Sequence, residues 1–203
     1  MEEKKEEAME VDSEGNYSKS TQLIHLLRRF LGIQQRRAEA YAKLKSGFDE
    51  YMMSGVELNY EHLCSEVTVE FNSCSKEVLE MESLLMKPEF CRNDLAGILR
   101  SVQEQEKQKL HLTARIQILK KAGHPSERLV SHENCKFTGT TKHECMHVNE
   151  ITEAMGTEEA EADAKYVGAL NEAIRGVQDA VTNINEHLEE VRYEIEALEA
   201  ETE

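Results

Sequence analysis

The chain has 203 residues and a formal net charge of -16, with two prolines and only 5% aromatic residues. This length allows one domain or at most two small ones. No apolar run approaches the roughly 18 to 20 residues that a membrane span needs, and the N-terminus lacks the apolar stretch of a secretory signal. We therefore expect no membrane partner, and the excess of acids argues against nucleic-acid binding by the whole surface.

Residues 1–17 are predicted to be a disordered acidic tail. They hold seven acids and two lysines, and their few apolar side chains cannot bury enough surface to offset the entropy of ordering. An acidic docking peptide is the functional alternative for this tail. The remaining residues, 18–203, are expected to form a single helical domain.

Four amphipathic helices are predicted in that domain, because apolar residues recur three and four positions apart. Their expected ranges are about 20–53, 59–87, 93–122 and 157–201, with an irregular connection at 123–156. Asn59 is expected to cap the second helix. The third helix has the clearest end, where Gly123 and Pro125 follow two lysines, since Gly favours the left-handed position after a helix.

The fold class that these helices predict is all-α: an elongated antiparallel bundle of four long helices with coiled-coil-like packing. The stripes are narrow and near period 3.5, and the first two connections are short. Polar residues interrupt two stripes, Gln34 and Arg37 in the first helix and Gln105 and Lys109 in the third.

Net charge alternates along the chain. The first and third helices are basic, whereas the second and fourth are acidic. In an up-down bundle, sequence neighbours then carry opposite charge. Exposed ion pairs add only about 0 to 1 kcal/mol each, so this pattern favours the correct helix order more than it raises stability.

A basic band on the first helix supplies the candidate partner-binding residues, Arg28, Arg29, Arg36 and Arg37. Arg28 and Arg36 lie two helical turns apart, and so do Arg29 and Arg37. Guanidinium groups suit phosphates or carboxylates. Two interpretations stay open: ion pairs with acids of the second or fourth helix, or contact with a protein or nucleic-acid partner.

The irregular connection holds the residues nearest to a metal motif, Cys135, His143, Cys145 and His147. Their alternation is tighter than the spacing of structural zinc pairs. Residues 143–147 also spell the letters of HExxH, which needs a helix, whereas this segment shows no helical period. We expect no bound metal and no cofactor, and we keep the four residues as weak zinc candidates.

Signatures of catalysis are missing from the sequence. It contains no P-loop, no dinucleotide-binding glycine motif and no nucleophile elbow. We therefore expect no catalytic residues, no small-molecule substrate and no enzymatic activity.

Four segments resemble the Required for excision 1-B family, a group associated with DNA repair. The first and third resemble it most closely, through an Arg-Ala-x-Ala-aromatic start at residues 37–41 and a Leu-Arg-Ser-x-Gln run at residues 99–103. In chain order the segments are RRAEAYAKLKSGFDEYMMSG (36–55), VTVEFNSCSKEVLEMESLL (67–85), LAGILRSVQEQEKQKLHLTARIQILKKAG (95–123) and LNEAIRGVQDAVTNINEHLEEVRYEIEALE (170–199).

The resemblance implies a role in DNA repair and a nuclear location, with the cytoplasm as an alternative. It carries over no catalytic residues and no cofactor. We therefore expect a non-enzymatic helical adaptor whose partners are other proteins, in the first place DNA-repair components. The alternative is a direct nucleic-acid binder that uses the basic band. The chain departs from shorter members of the family in its longer connection, residues 124–157.

Overall fold

The computed structural model describes the backbone of residues 3–127 and 153–202, and the side chains of residues 19–126 and 158–202. Within these ranges the secondary structure is helical and includes no strand. The helices are α1 (Glu3–Ser54), α2 (Glu57–Leu85), α3 (Asn93–Ala122) and α4 (Glu153–Ala200), with a short 3-10 helix at Pro125–Glu127. The predicted all-α class is confirmed.

The helix starts differ from the sequence prediction in three places, and one of them is α4, which begins at Glu153 rather than near residue 157. The backbone of α1 begins at Glu3 rather than near residue 20. Because the structure describes no side chain before Lys19, the disorder expected for residues 1–17 stays a prediction. The predicted Asn59 cap is wrong: α2 begins at Glu57, and Val56 at the N-cap forms no side-chain cap hydrogen bond.

The chain divides into two compact units. Unit 1 consists of Met1–Leu110 and Gln178–Glu203, and unit 2 consists of His111–Val177. The backbones of α3 and α4 continue through both units, so the division does not test the single domain predicted for residues 18–203.

In unit 1, α1 and α2 form an antiparallel hairpin. The backbone N–H of Gly55 donates to the carbonyl oxygen of Tyr51 at 2.8 Å, and Gly55 has a positive φ of 71°, which favours glycine after a helix. At Gly47, an added Cβ would lie 2.0 Å from the Cδ2 atom of Leu63. The two helices therefore approach each other closely near the turn.

Ion pairs and hydrogen bonds fix the helix directions in unit 1. Arg29 pairs with Glu77, whereas Arg36, further along α1, pairs with Glu70, which comes earlier in α2. The part of α3 in unit 1 is related to α4 in the same way. Arg92, just before α3, pairs with Glu194, whereas Gln105, further along α3, bonds with Asn183, which comes earlier in α4. Neighbouring helices in unit 1 thus run antiparallel, as the sequence predicts.

Unit 1 has two apolar clusters. The large core draws on all four helices and comprises Leu23, Ile24, Leu27, Phe30, Ile33, Cys74, Val78, Met81, Leu85, Leu95, Ala96, Leu99, Val102, Ile184, Leu188, Val191, Ile195 and Leu198. The small core draws its buried residues from α1 and α2 alone and comprises Ala40, Leu44, Val67 and Phe71. The two clusters are therefore unequal in size and in the number of helices that build them.

In unit 2, the segment after α3 is fastened to α4. Asp163 accepts hydrogen bonds from the backbone N–H and the hydroxyl of Ser126, at 3.1 and 2.6 Å. The His124 and Tyr166 rings pack with their centroids 4.6 Å apart. The hydrogen bonds from Ser126 lower the pKa of Asp163, so its carboxylate keeps the negative charge that these donors favour.

Candidate functional site

Two arginines of the basic band, Arg28 and Arg29, are exposed and paired. Arg28 forms an ion pair with Glu199 of α4. The Nη2 atom of Arg29 lies 2.9 Å from the Oε2 atom of Glu77 in α2. These are the partners that the charge alternation predicts, and exposed pairs of this kind contribute only about 0 to 1 kcal/mol each.

Arg36 is held by two carboxylates of α2. Its Nε atom lies 2.8 Å from Glu70 Oε1, and its Nη1 atom lies 2.6 Å from Glu77 Oε1. These hydrogen bonds raise the pKa of Arg36. In turn, the hydrogen bond from Arg36 and, to a smaller extent, the one from Arg29 lower the pKa of Glu77. Glu77 therefore bridges two arginines of the band.

Arg37 lies inside unit 1, with only 1% of its surface exposed. It donates hydrogen bonds to the side chains of Gln34 and Ser75, each at 3.4 Å, and to Gln103. The sequence places Arg37 both in the basic band and in a polar slot of the apolar stripe of α1, and its burial agrees with the second position. Its position seven residues after buried Phe30 places it on the inward stripe of α1.

Glu106 and Lys109 of α3 complete the polar group around Arg37. Glu106 is 7% exposed, and Lys109 Nζ lies 3.3 Å from its Oε1 atom. The same ammonium lies 3.9 Å from the centroid of the Tyr41 ring, and the Tyr41 hydroxyl donates to the Glu106 carbonyl oxygen at 3.3 Å. We call the whole group the polar layer: Gln34, Arg37, Tyr41, Ser75, Gln103, Glu106 and Lys109.

The polar layer lies between the large core and the small core along α1, α2 and α3. Burial lowers the pKa values of Arg37 and Lys109, and the Glu106 carboxylate opposes both effects. Three buried side-chain atoms of the layer have no hydrogen-bond partner: Gln34 Nε2, Arg37 Nε and Glu106 Oε2. Polar groups buried in helical cores are known to fix helix alignment at a cost in stability, and this arrangement suits that role.

A cavity of about 230 Å³ adjoins the polar layer. Its walls include Arg37, Phe71, Ser75, Gln103 and Glu106. Because Arg37 is almost wholly covered, the guanidinium offers a visiting anion little surface. The cavity is therefore a hollow beside the layer that leaves the Arg37 guanidinium covered.

The burial of Glu106 was not predicted, although the spacing of apolar residues in α3 indicates it. Leu95, Leu99 and Val102 are buried in α3, and the next inward position at this spacing is residue 106. The sequence instead placed Gln105 and Lys109 in the polar slots of the stripe, and both are half-buried. Because Glu is almost never fully buried, the residue type argued against the burial that the spacing indicates.

A second feature that the sequence missed is the end of the α1–α2 hairpin. Large apolar side chains stand in solvent there: Met52 (48% exposed), Met53 (83%), Val56 (48%) and Leu58 (77%). We call these four residues the hairpin tip. Adjacent exposed apolar side chains of this size are typical of surfaces that bind other proteins.

The zinc candidates Cys135, His143, Cys145 and His147 lie outside the described residues, so the expectation of no bound metal stays a prediction. Among the residues that the structure describes, no three His, Cys, Asp or Glu side chains are grouped as metal ligands. Within the same part of the chain, no helix is long and apolar enough to cross a membrane.

Helical packing and internally paired charges place this chain among the all-α helical-bundle proteins. Residues 25–120 match the family model described as DNA repair REX1-B. This segment includes α2, most of α3 and the part of α1 that carries the arginine band. The predicted resemblance to the Required for excision 1-B family is thereby confirmed over residues 25–120, a little under half of the chain.

Two curated relatives match about half of the chain, and each is named Required for excision 1-B domain-containing protein. The mouse (Mus musculus) protein is 33% identical over 97 residues, and the cattle (Bos taurus) protein is 32% identical over 104 residues. The alignments cover 46% and 50% of this chain and 57% of each relative. The chain thus spans little more than half of either relative. None of the solved structures matches it.

Proposed function

We propose that this protein is a non-enzymatic helical adaptor in DNA repair, which acts in the nucleus by binding other proteins. The process comes from the family: the description DNA repair REX1-B applies to the model that residues 25–120 match. The adaptor role is argued from the charges and surfaces of unit 1.

The observation that carries the proposal is the internal use of the basic band. Arg28, Arg29 and Arg36 each pair with a carboxylate of the same chain, and Arg37 is buried. Binding to nucleic acid requires arginines that replace counterions on phosphates. To reach a phosphate, these side chains would first have to leave their carboxylates.

The net charge of the protein supports the same choice. The chain carries 40 acids against 24 lysines and arginines, so the long-range field repels a polyanion. Protein surfaces show both signs of charge and apolar patches, and the hairpin tip is a patch of that kind. A protein partner therefore fits this surface better than a nucleic acid does.

The non-enzymatic part of the proposal is supported by the sequence, which has none of the common phosphate-binding, dinucleotide-binding or nucleophile motifs. In the described residues, the buried charged side chains are Arg37, Glu82 and Glu106. Glu82 pairs with Arg100, whereas Arg37 and Glu106 are engaged in the polar layer. The cavity beside the layer exposes almost none of Arg37.

Proximity labelling in cells tests the proposal. The full chain is fused to a biotin ligase and expressed in cells with and without ultraviolet damage, and a nuclear-targeted ligase alone is the control. We expect DNA-repair proteins to be enriched over the control, and more strongly after damage. A labelled set without repair proteins in damaged cells would overturn the proposal.

A further inference from the structure

The hairpin tip groups four exposed apolar side chains, whereas Val69 and Leu79 are single exposed apolar residues elsewhere on α2. Met53 and Leu58 are 83% and 77% exposed, which leaves most of their side-chain area in water. Burying such side chains on a partner removes their apolar area from water and so favours association. Methionine also adapts its shape to partners, since its side chain is unbranched and polarizable.

Aromatic packing beneath the tip holds it in shape. The Tyr51 and Tyr60 rings stack with centroids 5.2 Å apart and an interplanar angle of 8°. Phe48, which is buried, packs against Tyr60 at 5.7 Å. With the Gly55 turn, this packing joins the ends of α1 and α2 and presents the tip as a preorganised surface, which lowers the entropy cost of binding.

A small hollow of about 60 Å³ opens at the tip. It is lined by Gly47, Tyr51, Val56, Asn59, Tyr60 and Leu63, among others. The absence of a side chain at Gly47 brings Leu63 close to α1 and forms part of the hollow. A space of this size accepts the end of one aliphatic side chain from a partner.

Acidic residues surround the tip. Residues 46–61 contain four carboxylates, Asp49, Glu50, Glu57 and Glu61, and no lysine or arginine. All four are exposed. Asp49 pairs with Lys45 of the preceding turn at 2.8 Å. The rim therefore keeps an excess of negative charge around an apolar centre.

From this geometry we infer that the hairpin tip docks a basic amphipathic helix of another protein. The apolar face of that helix covers Met53 and Leu58 and inserts one side chain into the hollow, and its lysines and arginines face the acidic rim. This inference rests on the proposed adaptor function and names the chemistry of the partner. Helix-in-groove recognition of this kind uses anchors three and four residues apart.

The charge of the rim separates this occupant from two others. A second copy of the chain would bring a second acidic rim against the first, and like charges in contact oppose association. An anionic membrane surface is repelled for the same reason. A basic helix is the occupant that satisfies both the apolar centre and the rim.

A peptide titration tests the inference directly. The probe is a fluorescein-labelled helical peptide of about 18 residues with leucine on one face and lysine on the other, and a leucine–glutamate peptide is its control. Full-length protein is titrated into each peptide, and binding is followed by fluorescence anisotropy. We expect saturable binding of the lysine peptide only.

Surface variants show whether the tip is responsible. Met53→Asp with Leu58→Asp is expected to weaken binding by about tenfold or more, which corresponds to about 1.4 kcal/mol or more. Both changes add negative charge, so binding driven by charge alone would be kept or strengthened. The uncharged variant Met53→Gln with Leu58→Gln is expected to lose affinity too. Val69→Asp, at an apolar site 69% exposed elsewhere on α2, should bind normally.

Charge reversal tests the rim. Glu50→Lys with Glu61→Lys is expected to weaken lysine-peptide binding, whereas Glu80→Lys with Glu196→Lys changes exposed acids away from the tip and should have a smaller effect. Circular dichroism confirms that each variant keeps its helical content. Equal binding by the wild type and the Met53/Leu58 variants would overturn the inference, and so would no binding at all.

Analytical ultracentrifugation of the protein alone tests the remaining possibility, that the tip binds a second copy of the chain. A dimer that disappears in Met53→Asp with Leu58→Asp would mean that the tip binds a second copy, which would overturn the inference. If the peptide binds as expected but labelling in cells recovers no repair proteins, the adaptor function in repair fails while the docking surface stands.

Discussion

The large core and the small core of unit 1 show how unevenly four long helices are held together. The large core takes buried residues from α1, α2, α3 and α4, whereas the small core takes them from α1 and α2. Five half-buried side chains complete the small core: Tyr41, Tyr60, Leu63, Cys64 and Leu110. One end of the unit is thus a closed four-helix core, and the other end is a hairpin sealed by aromatic and half-buried residues.

The difference between the two cores indicates which end of unit 1 is more stable and which end is suited to binding. Regions with few buried apolar contacts open at lower free energy, and binding surfaces are drawn from such regions. The exposed hairpin tip lies at the small-core end, beyond Phe48 and Tyr60. The polar layer lies between the two ends and joins α1, α2 and α3 by hydrogen bonds, an arrangement that suits a role in helix alignment.

Truncating one leucine in each core should give the largest effects. Leu99 is fully buried in the large core, and Leu44 is 6% exposed in the small core. We expect Leu99→Ala to lower the free energy of unfolding by about 3 to 5 kcal/mol and Leu44→Ala by about 2 to 3 kcal/mol. Urea unfolding followed by circular dichroism measures both. Exposed Leu79→Ala serves as the control, with a change within about 0.5 kcal/mol. Equal costs in the two cores would contradict the comparison.

Removing Arg37 tests the polar layer between the cores. Arg37→Ala leaves buried Glu106 without the neighbouring guanidinium charge, so we expect a loss of about 3 kcal/mol in stability. Arg36→Ala, on the neighbouring and more exposed face, should cost about 0 to 1 kcal/mol. The triple variant Arg37→Met, Glu106→Leu and Lys109→Met should recover much of the loss, because it replaces all three charges of the layer by apolar volume. A cost for Arg37→Ala no larger than for Arg36→Ala would rule out a structural role for the layer.

Alanine substitutions at two glycines of α1 are expected to change stability in opposite directions. Gly32 has open space where a Cβ would be, whereas a Cβ at Gly47 would lie 2.0 Å from Leu63 Cδ2. Gly32→Ala should raise stability by about 0.5 to 1 kcal/mol through helix propensity. At Gly47 the same gain is opposed by overpacking of about 1 to 3 kcal/mol, so we expect a net loss. Thermal unfolding of both variants checks the signs, and stabilisation by Gly47→Ala would show that Leu63 moves away freely.

The smallest expected effect is the pH dependence of the Glu77 ion pairs. Arg36 and Arg29 lower the pKa of Glu77 from its ordinary value of 4.5. A lowered folded pKa means that these pairs stabilise the protein above pH 4.5 and that their contribution is lost as pH falls through the folded pKa. Glu77→Gln should therefore lower stability at pH 7 by about 1 kcal/mol or less. Urea unfolding from pH 7 to pH 3 should show the difference from wild type shrinking, and a constant difference would contradict the ion-pair assignment.

Much of the fold could be predicted from the spacing of apolar residues. The bounds of α3 agree with the prediction of 93–122, because Asn93 and Gly123 mark its ends with clear local signals. The start of α2 could not be predicted, since Val56 forms no side-chain cap hydrogen bond. Ion pairs between oppositely charged neighbouring helices also follow from the sequence, as the contacts of Arg29 and Arg36 show.

The candidate site was harder to predict. Charge separates surface from core in most proteins, so Arg37 was counted in the basic band as well as in a polar slot of the stripe, and Glu106 was not considered. Their burial depends on partners from three helices, which no local pattern displays. The exposed hairpin tip was not predicted either. Met52 and Met53 lie beside the predicted end of the first helix, where apolar residues usually pack against the turn.

The account depends on the statement that the arginines of α1 are engaged by carboxylates of the same chain and are not free for nucleic acid. Anisotropy of a fluorescein-labelled DNA duplex and of its single strand, titrated with the full chain at about 50 mM salt, tests this statement most directly. The account predicts no saturable binding up to about 50 μM protein, a range that covers typical non-specific affinities. Binding that weakens steeply with salt, and that Arg28→Glu, Arg29→Glu and Arg36→Glu together abolish, would contradict it.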